Sequence, residues 1–289
     1  MPTKWWADPL TYVELFALNN VAFLAVDIGI AHAINDFAHP AEWVPVAFSL
    51  AASAVLAVAM VLGGFRPTLP GSEAEGPPGG RQRLARRLGL AVGWGSVAVG
   101  IAGLLFHLES QFFRESTLKN LVYSAPFVAP LSYAGVGLLI LLDRMVDSRS
   151  ANWARWVVLL SLGGFAGNFV LSLADHAQNG FFRPEEWIGV VSAAAAVGFL
   201  AAVLAVPENR PLIVLSAWVV AAQIAVGLLG FAYHVRANLD HPAGSLWSRF
   251  LYGTPAFAPL LFADLALLAL LSFWALVRLR SGRVVAAVA

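Results

Sequence analysis

Two stretches of this chain carry the same pattern, 144 positions apart. Residues 32–43 read HAINDFAHPAEW, and residues 176–187 read HAQNGFFRPEEW. Seven of the twelve positions are identical: His, Ala, Asn, Phe, Pro, Glu and Trp. Similarity at a fixed separation indicates an internal repeat, so the chain is predicted to contain two related halves.

A second pair of segments supports this repeat. The pattern VGxxGxx(F/Y)H ends at His107 in the first half and at His234 in the second. The pattern YxxPxxAPL then begins at Tyr123 and at Tyr252, with two extra residues in the later loop. The order of the two patterns is the same in both halves, which favours duplication of a whole unit.

The composition predicts that this unit is a set of membrane-spanning helices. Hydrophobic residues make up 59% of the chain and charged residues 12%, whereas soluble domains have about 45–50% and about 25%. A bilayer core requires about 20 apolar residues per helix. We expect eight spans, near residues 11–34, 42–64, 88–108, 121–142, 154–175, 187–206, 211–234 and 255–277.

Each half contains four of these spans. The predicted repeats are residues 1–149 and 150–289, and the first includes a cytoplasmic linker at 66–87 that begins with many Pro, Gly and Glu residues and is expected to be disordered. An even number of spans makes both repeats enter the membrane in the same direction. The predicted fold class is an all-α integral membrane protein of two parallel four-helix repeats, related by a pseudo-two-fold axis along the membrane normal.

The positive charges predict the orientation. Cytoplasmic loops carry an excess of Lys and Arg, and thirteen of the 18 in this chain, Arg144 among them, lie on the side of the termini. Both termini are therefore expected in the cytoplasm of a multi-pass protein of the cell (inner) membrane, with the lipid bilayer as its surroundings.

Several classes of function are excluded. The chain has no cysteine, so disulfides, thiolate catalysis and iron–sulfur clusters are ruled out. A net charge of +1, without a basic stretch interleaved with aromatic residues, indicates no nucleic acid partner. Phosphate-binding glycine loops, nucleophile elbows and HExxH helices are also missing, which leaves open whether the protein is an enzyme.

Histidines are the main candidates for chemistry. All six lie on the predicted outward side, and the repeat pairs four of them: His32, His107, His176 and His234. Ionisable groups at membrane depth usually face the bundle interior or a water-filled cavity. Four imidazoles at similar depth suit copper, zinc or iron, or supply axial ligands to haem b, with the glycine faces before His107 and His234 leaving room for the macrocycle.

Polar side chains near these histidines form a second set of candidates. Asn35 and Asn179 follow a histidine by three positions and are expected to orient its ring, and Tyr123 and Tyr252 are expected to line a cavity. Carboxylates also orient metal-bound histidines. The nearby ones are Asp36, Glu109, Asp175 and Asp240, with the repeat-paired Glu42 and Glu186 at the mouth of the site.

The working hypothesis is an outward-facing metal or haem site used for redox chemistry or electron transfer. The first alternative is a transporter with a polar pocket on the pseudo-two-fold axis, in which the intramembrane acids Asp27 and Asp264 handle protons or cations. Another is a non-catalytic subunit that anchors a periplasmic or membrane protein partner. A further alternative is that the histidines serve the fold alone, as hydrogen-bond donors at helix ends.

Overall fold

The computed structural model describes residues 8–64, 79–242 and 244–288, with side chains described through Leu279. The protein is 79% helical, and the described residues contain no β-strand. Ten α-helices occur in these ranges: α1 Pro9–Ala33, α2 Trp43–Gly63, α3 Gly80–Glu109, α4 Leu118–Val122, α5 Leu131–Met145, α6 Ala151–Gln178, α7 Glu186–Ala205, α8 Arg210–Leu239, α9 Leu246–Tyr252 and α10 Leu260–Val288.

Polar residues cap the starts of several helices. Asp8, Ser150 and Asn209 each accept a hydrogen bond from a backbone N–H in the first turn of α1, α6 and α8. Thr117 and Ser245 do the same for the short helices α4 and α9. Such caps satisfy N–H groups that have no partner within the helix, and they explain why these helices begin where they do.

Seven helices are long and apolar enough to cross a membrane: α1, α2 with its preceding turn, α3, α6, α7, α8 and α10 as far as Leu279. The architecture is therefore that of a multi-pass membrane protein. The predicted span at 121–142 is not among the seven, because a non-helical segment separates α4 from α5 within it. Pro130 lacks the N–H that an α-helix would use to bond the carbonyl of Pro126, and the 15 residues of α5 cover only about 22 Å.

The predicted linker at 66–87 is partly helical. Its residues 66–78 lie outside the described ranges, but α3 begins at Gly80 and includes Arg81, Arg83, Arg86 and Arg87. The basic residues before the third span therefore continue the same helix.

Two sets of four helices pack in the same order. In the first set, α1 contacts α2, α2 contacts α3, α3 contacts α5, and α5 contacts α1. In the second set, α6 contacts α7, α7 contacts α8, α8 contacts α10, and α10 contacts α6. The contacts α5–α6 and α1–α10 join the sets. One apolar core with residues from both sets, such as Val13, Leu139, Phe165 and Leu200, passes through the molecule.

Candidate functional site

Two of the predicted histidines make the same backbone contact in the two halves. His107 Nδ1 lies 3.0 Å from the carbonyl oxygen of Pro126, and His234 Nδ1 lies 2.9 Å from that of Pro255. These carbonyls precede Pro130 and Pro259 by four positions, so the usual helical N–H donor is missing. A carbonyl only accepts, so Nδ1 carries the hydrogen in both rings, and in the neutral ring Nε2 keeps a free lone pair.

The other two histidines also direct Nδ1 to an oxygen atom. His32 Nδ1 lies 3.2 Å from the backbone carbonyl of Glu42. His176 Nδ1 lies 3.6 Å from Glu186 Oε2, which is an ion-pair distance when the ring is protonated and longer than a hydrogen bond. Each contact lies between the end of one helix and the start of the next, and the hydrogen bond of His32 holds its loop. Within the described residues, no Nε2 atom of the four rings has a hydrogen-bond partner.

Each set of helices contains two of the four histidines, and the rings of His32 and His107 form a close pair. The ring centroids of His32 and His107 are 6.3 Å apart. His176 and His234 are near enough for their charges to interact. The expected single centre of four imidazoles is not formed among the described residues; the histidines lie at the ends of α1 and α3 in one set and of α6 and α8 in the other.

A glutamate accompanies each pair. The carboxylate of Glu42 acts electrostatically on His107, and the Oε2 atoms of Glu42 and Glu186 are buried without a hydrogen-bond partner in the described part of the chain. In neither set do the two histidines and the glutamate converge on one point. No group of three His, Asp or Glu residues in the described ranges is arranged to hold a metal ion.

Loop geometry is also shared. Phe37 and Phe181 have φ values of 53° and 52°, and their rings stack on Trp43 and Trp187 at centroid distances of 3.9 Å and 4.0 Å. The same phenylalanine rings contact His32 and His176 at 6.0 Å and 5.9 Å. Each loop thus places a histidine beside a fixed aromatic stack.

The asparagines in these loops hold neighbours other than the histidine rings. Asn35 Nδ2 donates to Glu42 Oε1 at 3.2 Å, and so it holds the glutamate. Asn179 Oδ1 accepts from the backbone N–H of Phe181 at 3.1 Å, and so it stabilises the turn.

The other predicted site residues are dispersed. Tyr123 and Tyr252 are 54% and 55% exposed, so they lie at the surface, and Glu109 is also exposed. Asp175 lines a small cavity between α6 and residues 121–128, together with Ser124 and Gln178. These residues do not join the histidine pairs.

The glycine faces pack against proline. A Cβ atom at Gly103 would lie 2.7 Å from Pro130 Cβ, and one at Gly230 would lie 2.8 Å from Pro259 Cβ. A Cβ at Gly100 would likewise lie 2.9 Å from the Pro130 carbonyl oxygen. The expectation that these glycines leave room for a haem macrocycle is corrected by this packing, because the proline rings fill the space.

The intramembrane acids occupy different surroundings. Asp264 Oδ1 accepts a hydrogen bond of 3.0 Å from Asn20 Nδ2, which joins α10 to α1. Asp27 lies near Tyr133, whose hydroxyl donates to the carbonyl of Pro45 at 2.9 Å. Asp264 is therefore at the contact between the two sets, and Asp27 faces into the first set.

One cluster is absent from the predictions above. Arg144, counted among the cytoplasmic positive charges, is 3% exposed and pairs with Glu14 of α1. Asp143 beside it is fully buried. A glutamate in α1 and an adjacent acid–base pair near the end of α5 were the available signals for this cluster.

Comparison with family models, curated proteins and solved structures finds no match. The class of protein that the fold defines is a multi-pass helical membrane protein.

Proposed function

We propose that the chain consists of two parallel four-helix repeats, residues 1–149 and 150–289, related by a pseudo-two-fold axis along the membrane normal. The matching helix contacts in the two sets support this arrangement. The joining contacts α5–α6 and α1–α10 exchange under such an axis, because α1 corresponds to α6 and α5 to α10. We further propose that residues 118–145 cross the membrane as a broken eighth span. The protein then lies in the inner membrane with both termini on the cytoplasmic side.

We infer that each repeat carries a two-histidine site for a transition-metal ion. The observation that carries this proposal is that His32, His107 and His234 each hydrogen-bond a carbonyl through Nδ1, that His176 Nδ1 faces a carboxylate at 3.6 Å, and that all four rings keep Nε2 free within the described ranges. Metal-bound histidines are commonly held in this way, with the second ring nitrogen donating to a carbonyl or carboxylate.

The distance within the first pair is close to what one ion requires. Two imidazoles bound to one tetrahedral metal ion at about 2 Å hold their ring centres roughly 5 Å apart, and the centroids of His32 and His107 are 6.3 Å apart, so the rings would have to approach by about 1 Å. Copper, zinc and iron accept imidazole ligands. Glu42 and Glu186, which contact His32 and His176, could complete each set of ligands after a side-chain rotation. Iron or copper would allow electron transfer at the outward face; haem b is less favoured, because prolines fill the glycine faces.

Metal analysis of the purified protein tests this proposal. We expect one ion per histidine pair, half the metal in His107→Ala or His234→Ala, and almost none in the double variant. His39→Ala is the matched control, because this exposed loop histidine has no counterpart in the repeat and should leave the metal content unchanged. Metal-free protein, or a double variant that keeps its metal, would contradict the proposal, and a Soret band would indicate haem instead.

A transporter is the second candidate, favoured by the Asn20–Asp264 hydrogen bond between the two sets of helices. A carboxylate at this contact is placed to bind a proton or cation during movement of one set against the other. Proteoliposomes with a proton gradient should take up a cation, and Asp264→Asn should abolish uptake while Asp240→Asn, at an exposed loop, preserves it. Equal uptake by both variants would exclude this role for Asp264.

A further inference from the structure

A buried cluster of charged side chains lies far from the histidines. Glu14 precedes His32 by 18 positions in α1, which corresponds to about 27 Å along the helix. Arg144 Nη1 donates to Glu14 Oε1 at 2.7 Å, and Nη2 donates to Oε2 at 2.9 Å. The two side chains are 3% and 2% exposed. A bidentate pair of this kind is both strong and geometrically specific.

Asp143 brings a second carboxyl group to the same place. Its side chain is fully buried, and its Oδ1 accepts a hydrogen bond of 2.8 Å from Trp153 Nε1. Its Oδ2 is buried and lacks a partner among described residues, and the carboxyl group is adjacent in sequence to the arginine that binds Glu14, so the two carboxyl groups act on each other electrostatically. Two ionised carboxylates cannot bond to each other, whereas a proton on one of them makes the contact a hydrogen bond.

The charge balance also requires a proton. Arg144 supplies one positive charge for two carboxyl groups, and an uncompensated charge in a buried site is costly. Arg86 of α3 approaches the cluster, but its Nε donates to the backbone carbonyl of Arg144 at 3.1 Å. From α6, the group that faces Asp143 is the neutral indole of Trp153. In the described ranges, no other charged side chain pairs with these three groups.

The cluster occurs once, which sets it apart from the repeated features. The alignment of the two halves places Val158, Ser272 and Phe273 at the positions of Glu14, Asp143 and Arg144. The four-helix arrangement is therefore built in the second set without buried charges. A Cβ atom at Gly89 would collide with the Arg144 guanidinium, so α3 is shaped to admit this side chain.

We propose that Asp143, Glu14 and Arg144 form a buried proton-binding site, in which the Asp143 carboxyl holds a proton and donates it to the Glu14 carboxylate. Arg144 balances the one remaining negative charge. The site joins α1 and α5 to α6 through Trp153, so release of the proton to water leaves a net negative charge at the contact between the two sets. Protonation thereby stabilises the α5–α6 contact, independently of any metal at the histidines.

Infrared spectroscopy of the full chain in lipid nanodiscs at neutral pH tests the proton directly. The difference spectrum between wild type and Asp143→Asn should show the carbonyl band of a protonated carboxyl group, and the band should shift in D2O. The matched control is Asp147→Asn, because this exposed aspartate should contribute only carboxylate bands. A difference spectrum for Asp143→Asn that contains only carboxylate bands would overturn the proposal.

Stability measurements supply a second test. Glu14→Gln should also lose the protonated band, because Asp143 then ionises and pairs with Arg144. Each single variant leaves Arg144 one carboxylate, so the melting temperature should fall by only a few degrees. The double variant leaves none and should melt lower by more than the sum, on the order of 10 °C below wild type. Additive effects would refute the shared site, and unchanged metal content in all three variants would separate this result from the histidine proposal.

Discussion

Phe37 and Phe181 are bulky residues in the left-handed region of the backbone, where side chains other than Gly, Asn and Asp are rare. Such conformations cost about 1–3 kcal/mol and persist where the surroundings determine them. Here the surroundings are the stacked Trp43 and Trp187 rings on one side and a histidine on the other. The same geometry occurs in both loops, and in each it places the histidine beside the aromatic stack.

The residue before each phenylalanine gives a prediction at this scale. Asp36 has φ of 55°, whereas the second half has Gly180 with φ of 74° at the same position. We expect Asp36→Gly to stabilise the protein by up to about 1 kcal/mol, because glycine adopts this conformation without strain. Gly180→Ala should destabilise it by about 1–2 kcal/mol.

Thermal unfolding of the detergent-solubilised variants measures both effects. Gly198→Ala in α7 is the control, since a Cβ there meets nothing within 4 Å and alanine favours the helix. The strain argument requires that Asp36→Gly raises the stability and that Gly180→Ala lowers it. A loss of stability in both variants would refute the argument.

At the scale of elements, each set of helices contains a glycine-faced helix packed on a segment that proline interrupts. In α3, Gly100 and Gly103 admit Pro130, and in α8 the equivalent glycines admit Pro259. The turns before α5 and α10 have i→i−3 hydrogen bonds, as in Ala129 to Pro126 and Ala258 to Pro255, which is the 3₁₀ pattern. The break removes the i→i−4 hydrogen bond to Pro126 and to Pro255, and each carbonyl accepts from its i+3 N–H and from His107 or His234 instead.

This packing predicts equal sensitivity in the two halves. Gly103→Ala and Gly230→Ala should each destabilise the protein by about 1–3 kcal/mol, because a methyl group would overlap the proline ring. Both should also displace the histidine in the next turn and lower metal binding. Gly135→Ala in α5, where a Cβ meets nothing within 4 Å, is the matched control in the unfolding measurement. A large loss in only one glycine variant would show that the two contacts are not equivalent.

At the scale of the whole molecule, the two sets of helices meet through contacts that differ in chemistry. The α1–α10 contact contains the Asn20–Asp264 hydrogen bond. The other contact lies beside the Glu14–Arg144 pair and the Asp143–Trp153 hydrogen bond. All of these groups are present once, whereas the histidine pairs are present twice. The Asn20–Asp264 and Asp143–Trp153 hydrogen bonds therefore join the two sets, whereas the Glu14–Arg144 pair belongs to the first set and each set has its own histidines.

Several features of the candidate site were predictable from the sequence. Long apolar runs predicted a multi-pass helical protein, because the length of such a run is set by the thickness of the bilayer. The shared patterns also selected His107 and His234 together with their prolines, since both lie in a short repeated segment. The Asp264–Asn20 contact was not predictable, because its two residues lie 244 positions apart and neither is repeated.

The sequence by itself determined the helical membrane class and the four histidines near helix ends, because apolar periodicity and repetition are local properties of the chain. Only the tertiary structure decided that the histidines form two separate pairs, that the glycine faces are filled by proline, and that Arg144 is buried against Glu14. The physical reason is that a helix presents several faces, and which face meets a given neighbour depends on the packing of all the helices together.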